Sequence, residues 1–481
     1  MNIIDPILAQ CRYQPNSPAL CVPGDHHTLI TYSRLGKMIH NVARNARAAG
    51  LKPGARAIIF SDDQTLHAAL ILGLARAGVA SISGRNPEMP PELNIDVIIA
   101  DFGRTFSRRT RVIPADFSWT AGDGLPLDEE VRTPSGDEVC RLIFTSGTTG
   151  DAKAVAYTHR MVAERAARFD YLAGNLLAGA LRTYVELGFA TSLGYLCLIS
   201  TLMRGGMLVL AGSCEAAMNA CDLYRVESWV GAPGSLIPMV ELYEQSEGRR
   251  CNFQAMLAGG SLLSKSLSER VRSRMCSNLI AAYGSTETNM VATAPAYVTA
   301  QTPGAVGYLT PGMVVQAVDR DHQALPVGKE GLIRIRGPYN VSEYVDDPEE
   351  SARAFRDGWF YPGDIGSVTK NNLLIISGRQ KTVMNIGGDK VKPELIEDVL
   401  TAFSGVNEAG VFGFVNDYGI EEVWAVIAST TAVDEPQLHV HCQKRLPANF
   451  VPRRFIRAQA LPKNEMGKVD RRRLPELAKT A

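Results

Sequence analysis

Residues 144–159 read FTSGTTGDAKAVAYTH. Between the apolar run CRLIF (140–144) and the mixed strand-like run after Lys153 lie only small, hydroxylated or short polar side chains. Such a stretch adds nothing to a core. Its backbone N–H groups and hydroxyls nevertheless suit an anionic oxygen, and Lys153 adds a point charge for phosphate. The spacing from Gly147 to Lys153 matches the G-x-x-x-x-G-K-[ST] loop, but the neighbours do not. Ala152 stands where the second glycine belongs and Ala154 where the metal-binding hydroxyl belongs. The motif therefore argues against a Walker-type nucleotidase. Taken alone, the stretch is either an anion-binding loop of another kind or a polar surface loop.

The surrounding chain has 481 residues, which predicts a large body plus at least one further unit. It is 46% hydrophobic and 21% charged, the composition of a globular protein with a sizeable core. Lys plus Arg and Asp plus Glu each number 50, so no global field favours a nucleic-acid partner. Two local runs are basic, GRRC (248–251) and VDRRRL (469–474), and the first reads as a solvated face or a helix end. The nine cysteines are scattered singly with no CxxC pair, which points to reduced thiols in a cytoplasm rather than to disulfides or a zinc site. The opening MNIIDPILAQCRYQ lacks the charged and apolar segments of a signal peptide. No apolar run approaches the roughly 18–20 residues that cross a bilayer. A cytoplasmic protein without a membrane span is expected.

Strand-like and helix-like stretches alternate through the first 140 residues. ARAIIFS (55–61) reads as a buried strand, TLHAALILGLARAG (65–78) as an apolar helix ending at glycine, and IDVIIAD (95–101) as another strand. The pattern returns in GMLVLAG (206–212), SWVGAPGSLIPMVELYEQ (228–245) and FQAMLAGG (253–260). This alternation predicts βαβ units and parallel sheets. From about 304 to 376 the texture changes to short alternating runs such as GLIRIRG and NNLLIISG, which predict antiparallel strands or a small barrel. After GRQK (378–381), the helix-like PELIEDVLTAF and the strand candidates AGVFGFV and VWAVIAS predict a compact α+β tail. The boundary falls near 378, giving units 1–378 and 379–481.

Four further stretches carry chemistry. In AAYGSTET (281–288), Tyr283 suits stacking on a base, Thr286 a phosphate oxygen and Glu287 a magnesium ion. In DGWFYPGDIG (357–366), Asp364 sits in a glycine-rich turn suited to two ribose hydroxyls. SGRQKTVMNIGGDKVKPELIED (377–398) contains Arg379 and the Gly387-Gly388 pair, and LPKNEMGKVDRRRL (461–474) delivers Lys468 on a turn. Each has an ordinary reading as a turn or a solvated lysine.

Together, in this order, the five motifs resemble the adenylate-forming (AMP-dependent) synthetase superfamily, in its acyl- and aryl-CoA ligase branch. The resemblance runs from QPNSPAL and LITYSRL near the start through PGAVGYLTPGMVV and YVDDPEESARAFRDGWF. It implies an α/β fold: a large N-terminal domain of two βαβ-type sheets plus a small β-barrel, with a small mobile α+β C-terminal domain. It implies ATP, Mg²⁺ and coenzyme A as co-substrates and metal. Thr145, Ser146, Gly147, Thr148, Thr149, Gly150 and Lys153 would cradle the β,γ-phosphates. Gly259, Gly260, Ser261 and Tyr283 would line the adenine pocket. Thr286 would meet the α-phosphate, Glu287 the magnesium, and Asp364 the ribose with help from Arg379. Lys468 would reach the α-phosphate and the substrate carboxylate. Lys381 would be the hinge of a swinging C-terminal domain, and Gly388 would line the thiol tunnel.

The chain departs from the family pattern in places. Ala152 and Ala154 replace the usual proline and glycine beside the lysine, Pro362 the threonine before Gly363-Asp364, and Asn464 a threonine before Lys468. ELGFATSLGYLCL (186–198) occupies the segment of the acyl-pocket helix, where Ala190 stands in place of the aspartate of amino-acid-activating relatives. Alanines 281 and 282 replace an arginine used by dicarboxylate-specific relatives. Phe189, Ala190, Gly194 and Gly284 therefore predict a pocket for a neutral acyl or aryl acid. His439 and His441, an HxH on a predicted strand, read as an incidental surface pair, and His159 as structural. VDRRRL is either a contact for CoA phosphates or a solvated helix start. The leading expectation is an ATP-dependent carboxylic acid–CoA ligase. The alternatives are an acyl-AMP ligase loading a carrier protein's phosphopantetheine, and a weakened homologue with a binding role.

Overall fold

The alternation of the first 140 residues folds as βαβ units. The computed structural model of the chain describes all residues except 1, 85–92, 102–105, 107–109, 125–132, 146–152, 177–178, 180, 247–250, 262, 381–383, 387–388, 416–420, 430–431, 465–467 and 481. Among the described residues, one sheet runs in the order Arg111–Pro114, Val97–Ala100, Arg56–Phe60, Ala80–Ser83, Val139–Thr145, Lys153–Thr158. Its pairings are parallel until the last, which is antiparallel. The helix Gln64–Ala77 is apolar all round and nearly all buried, as a helix enclosed on every side must be. Asp63 caps its first turn through Leu66 N, and Gly78, at φ 77°, ends it.

The larger sheet has a parallel core of Pro18–Val22, Met207–Val209, Arg182–Val185, Ser228–Gly231, Ala255–Gly259 and Leu279–Ser285. From Leu279–Ser285 it continues antiparallel through Asn289–Pro295, Ala305–Leu309, Leu373–Arg379, Asp364–Val368 and Gly331–Arg336. The antiparallel texture expected over 304–376 is present, and it is hydrogen-bonded onto the larger sheet rather than standing apart. Arg141, fully buried in the smaller sheet, bonds Ser81 Oγ at 3.0 Å and the Phe189 carbonyl at 2.8 Å. That ties the smaller sheet to the loop leading into the helix Ser192–Met203.

Beyond Arg379, a hairpin (Met384–Ile386 with Asp389–Val391) precedes the helix Pro393–Thr401 and a sheet of Glu408–Val415, Glu421–Ala428 and Arg454–Ala458. This part has its own apolar cluster, including Ile396, Leu400, Val411, Ala425 and Leu438. One local expectation is corrected. His439 and His441 lie on the helix Glu435–Gln443, not on a strand, because Asp434 caps a helical turn there. His441 Nε2 meets the Val399 carbonyl at 3.0 Å, while His439 stands edge-on to Phe455. Two positions apart on a helix, they face different neighbours. No described helix is long and apolar enough to cross a membrane.

Candidate active site

The strand Val139–Thr145 and the strand Lys153–Thr158 are antiparallel neighbours, with Thr145 directly opposite Lys153. Ser146, Gly147, Thr148, Thr149 and Gly150, which join them, lie outside the described residues, as do Lys381 and Gly388. In a Walker loop the lysine opens a helix. Here Lys153 opens a strand, and Ala154 is buried with its carbonyl accepting Val345 N at 2.8 Å. The mismatch seen in the sequence is thus a difference of local fold.

The turn carrying Thr286 and Glu287 closes the hairpin between Leu279–Ser285 and Asn289–Pro295. Its register shifts between Tyr283 and Gly284. A Cβ on Gly284 would lie 2.1 Å from the Asn289 carbonyl oxygen, so the close pairing of the backbones admits only glycine. The turn is pinned from below. Arg165 Nη1 donates to the Thr286 carbonyl at 3.0 Å and its Nη2 to the Glu287 carbonyl at 3.1 Å. Tyr157 Oη also donates to Thr286 O at 2.5 Å, and Val341 N to Glu287 O at 2.9 Å. With their backbones held, the side chains of Thr286 and Glu287 face the cleft. Glu287 Oε1 accepts from Tyr344 Oη at 2.8 Å, which leaves its other oxygen for a ligand.

Asp364 and Arg379 are partners across neighbouring strands, and Arg379 Nε meets Asp364 Oδ1 at 2.9 Å. Tyr283 Oη donates to Asp364 Oδ2 at 2.5 Å. Burial, with the Asp364 carboxylate beside it, pushes the Tyr283 hydroxyl well above its usual range, so it stays a donor. Both carboxylate oxygens are oriented and each keeps a lone pair for a hydroxyl.

Lys468 comes from the far end of the chain. Its turn is closed by Asn464 N donating to Lys468 O at 2.7 Å and Lys468 N donating to Asn464 Oδ1 at 3.1 Å. The asparagine that replaces the usual threonine therefore shapes the lysine's own turn. Burial pushes the ammonium down to about 8, Arg379 adds to this, and Asp364 and Glu287 oppose it.

These groups surround one cleft of about 1350 Å³. Thr145, Lys153, Thr286 and Glu287 lie in its wall, as do Gly260, Ser261, Tyr283 and Gly284. Asp364, Arg379 and Lys468 complete it, with Pro362 beside them. Gly259, Phe189, Ala190 and Gly194 do not line it. Phe189 is 4% exposed, and its ring stands edge-on to His67. A Cβ on Gly194 would lie 2.5 Å from the Leu187 and Gly188 carbonyl oxygens. Its small size serves the tight entry to the helix Ser192–Met203. Three contributors carried no local sequence signal of their role: Arg165, on a helix, and Tyr344 and Glu350, in the YVDDPEE run. Only their long-range partners reveal them. The arginines of VDRRRL divide: Arg472 and Arg473 are exposed at a helix start, as the solvated reading expects, and Arg471 is not. Arg471 points inward to Glu394 at 3.1 Å and Glu397 at 2.6 Å, while Arg472 pairs with Asp470 at 3.1 Å.

Among the described residues no group of three or more His, Cys, Asp or Glu side chains could hold a metal. A single carboxylate such as Glu287 is what Mg²⁺ uses when nucleotide phosphates and waters fill its other positions, so the residues fit that ion.

The AMP-binding enzyme family model matches residues 7–345, and the model of the AMP-binding enzyme C-terminal domain matches residues 395–468. The chain is 26% identical to a fatty acid–[acyl-carrier-protein] ligase, ScoC, of Streptomyces coeruleorubidus, over 96% of this chain and 94% of that protein. It is also 26% identical to a feruloyl-CoA synthase of an Amycolatopsis species, over 96% of each. Its fold matches that of o-succinylbenzoate CoA synthetase from Bacillus subtilis with its acyl-adenylate, with TM-score 0.83, 21% identity, and coverage of 98% of this chain and 97% of the other. ATP-bound MatB from Rhodopseudomonas palustris gives TM-score 0.81 at 23% identity over 100% and 99% of the two chains. With both domain models matched and the cleft built from the family's motifs, the chain belongs to the AMP-binding enzyme family, within the adenylate-forming superfamily and its acyl- and aryl-CoA ligase branch.

Proposed function

We propose that this cleft activates a neutral acyl or aryl carboxylic acid with ATP and passes the acyl group to the thiol of coenzyme A. The observation that carries the reading is the convergence of Lys468, Asp364–Arg379, Glu287 and Lys153 on one cleft from segments hundreds of residues apart. A carboxylate and a triphosphate repel each other, so the site must supply positive charge and hold both in line. Lys468 sits where it can neutralise charge on the α-phosphate and the attacking carboxylate. Asp364, braced by Tyr283 and Arg379, takes the ribose hydroxyls, and Thr286 takes an α-phosphate oxygen. Lys153, with Thr145 and the loop 146–150, takes the β,γ-phosphates, while Gly260 and Ser261 edge the adenine site and Gly259 lies behind them. Glu287 would hold a Mg²⁺ ion, which would supply charge neutralisation to the phosphates. Attack at the α-phosphorus gives acyl-AMP and pyrophosphate; a thiol then displaces AMP.

The neutral acid is supported by alanines 281 and 282, of which Ala282 lines the cleft, since they put no charged side chain where dicarboxylate-specific relatives use an arginine. The unit boundary near 378, the hinge at Lys381 and the tunnel at Gly388 belong to the same proposal. So does a cytoplasmic setting, in keeping with nine cysteines scattered singly along the sequence. An acyl carrier protein as the acceptor is the second reading, and the 26% identical carrier-protein ligase favours keeping it. The test is pyrophosphate release across a panel of acids, with CoA, with a phosphopantetheinyl carrier protein, and with neither. AMP and pyrophosphate are expected, with turnover raised by CoA. Formation of ADP and phosphate would sink the reading, and a response to the carrier alone would replace CoA as acceptor.

A further inference from the structure

Lys153 does not sit idle in the cleft. Its ammonium is ion-paired with Glu350 Oε2 and lies 5.0 Å from the centroid of the Tyr344 ring. Tyr344 in turn holds Glu287. Glu350 is fixed on the short helix Pro348–Ala354, whose first turn is capped by Asp347 through Glu350 N at 3.0 Å. Arg353, one turn on, meets the other oxygen, Oε1, at 2.5 Å and also pairs with Glu349. Lys153 and Glu350 are 14% and 22% exposed at their side chains, and both line the cleft.

We propose that Glu350 is a placeholder for the terminal phosphates: it is the partner of Lys153 in the free enzyme and gives it up when the β,γ-phosphates of ATP or pyrophosphate arrive. This rests on the ATP reading above. A polyanionic phosphate tail cannot settle on Lys153 beside the carboxylate already paired with it without repulsion, so one of the two anions must yield. Glu350 can yield because Arg353 stays with it, which avoids leaving a half-buried carboxylate unpaired. The arrangement also explains why the lysine is poised over Tyr344 beside the turn that carries Glu287. Exchange of partners weakens binding of ligands with β,γ-phosphates and speeds departure of pyrophosphate. It leaves AMP, which has no such phosphates, untouched.

The test compares Glu350→Gln with Glu349→Gln, which removes the same charge from the same helix without touching Lys153. Affinities of the full chain for MgATP, pyrophosphate and AMP are measured by calorimetry, with KM for ATP and product inhibition by pyrophosphate alongside. Glu350→Gln is expected to tighten MgATP and pyrophosphate on the order of three- to tenfold, lowering KM for ATP, with AMP changed less than about twofold. Glu349→Gln is expected to change none of the three beyond about twofold. Glu350→Ala is read the same way, so the result does not hang on one variant's folding. Unchanged or weakened binding of MgATP and pyrophosphate in the Glu350 variants overturns the placeholder role. A wild-type chain that binds no MgATP would instead overturn the function on which it rests.

Discussion

In the proposed reading, Lys468 is the residue on which the adenylation chemistry turns. Burial pushes its ammonium down to about 8, the Arg379 guanidinium adds to this, and Asp364 and Glu287 oppose it. The charged form is the useful one, because the developing negative charge lies on phosphate and carboxylate oxygens. Below about pH 7 the lysine is protonated; as pH rises through about 8 the free enzyme loses that proton. The kcat/KM of ATP–pyrophosphate exchange should therefore fall on the alkaline side with an apparent pKa near 8, and a profile flat to pH 10 would contradict this. Lys468→Ala should cut adenylation by about 10²–10³ while leaving the thiol step on a supplied acyl-adenylate far less affected. Normal exchange in that variant would remove Lys468 from the proposed role.

At the scale of elements, the C-terminal unit depends on a pair that local sequence presents as surface. Arg471 follows directly on the Lys468 turn, bonding Glu394 and Glu397 of the helix Pro393–Thr401, and Glu397 also accepts Val411 N at 2.8 Å. One side chain thus clamps the helix, the strand Glu408–Val415 and the lysine's turn together. Arg471→Ala leaves two carboxylates facing each other without their cation. It should cost about 2–3 kcal/mol, discounted from the fully buried case because the arginine is 26% exposed. Chemical denaturation that reports the C-terminal unit through Trp424 would check it, and a loss under 0.5 kcal/mol would mean that solvent replaces the pair at little cost.

For the molecule as a whole, the structure joins the C-terminal unit to the body in the arrangement that brings Lys468 into the cleft. Lys392, just ahead of the helix Pro393–Thr401, bonds Glu330 at 2.9 Å and Ser377 Oγ at 2.5 Å. Elsewhere Ser266 Oγ donates to the Thr401 carbonyl at 3.4 Å. These contacts between described residues are polar, which fits the proposed swing of the C-terminal unit. Lys392→Ala should slow adenylation roughly two- to fivefold without slowing the thiol step, since one partly exposed pair biases the arrangement by at most about 1 kcal/mol. Rapid-quench measurement of the two half-reactions separates this from a general loss, in which both would slow together.

The sequence by itself determined the kinds of chemistry and the kinds of element. Helix and strand runs such as Gln64–Ala77 and Arg56–Phe60 were legible because period and end signals are local. Lys153, Thr286, Glu287, Asp364, Arg379 and Lys468 were legible as candidates because each lies in a short motif whose residue types suit one task, and all six line the cleft. Only the tertiary structure decided which of them meet, and on what terms. The hydroxyl of Tyr283 ended on Asp364, Glu350 ended on Lys153, and the inward turn of Arg471 ended on Glu397. It also set Phe189 and Gly194 apart from the cleft wall and put the two histidines on a helix. Hydrogen bonds and ion pairs are made across space by groups that chain spacing leaves unrelated, so their partners exist only once the sheets, the turn at Gly284 and the C-terminal unit are in place.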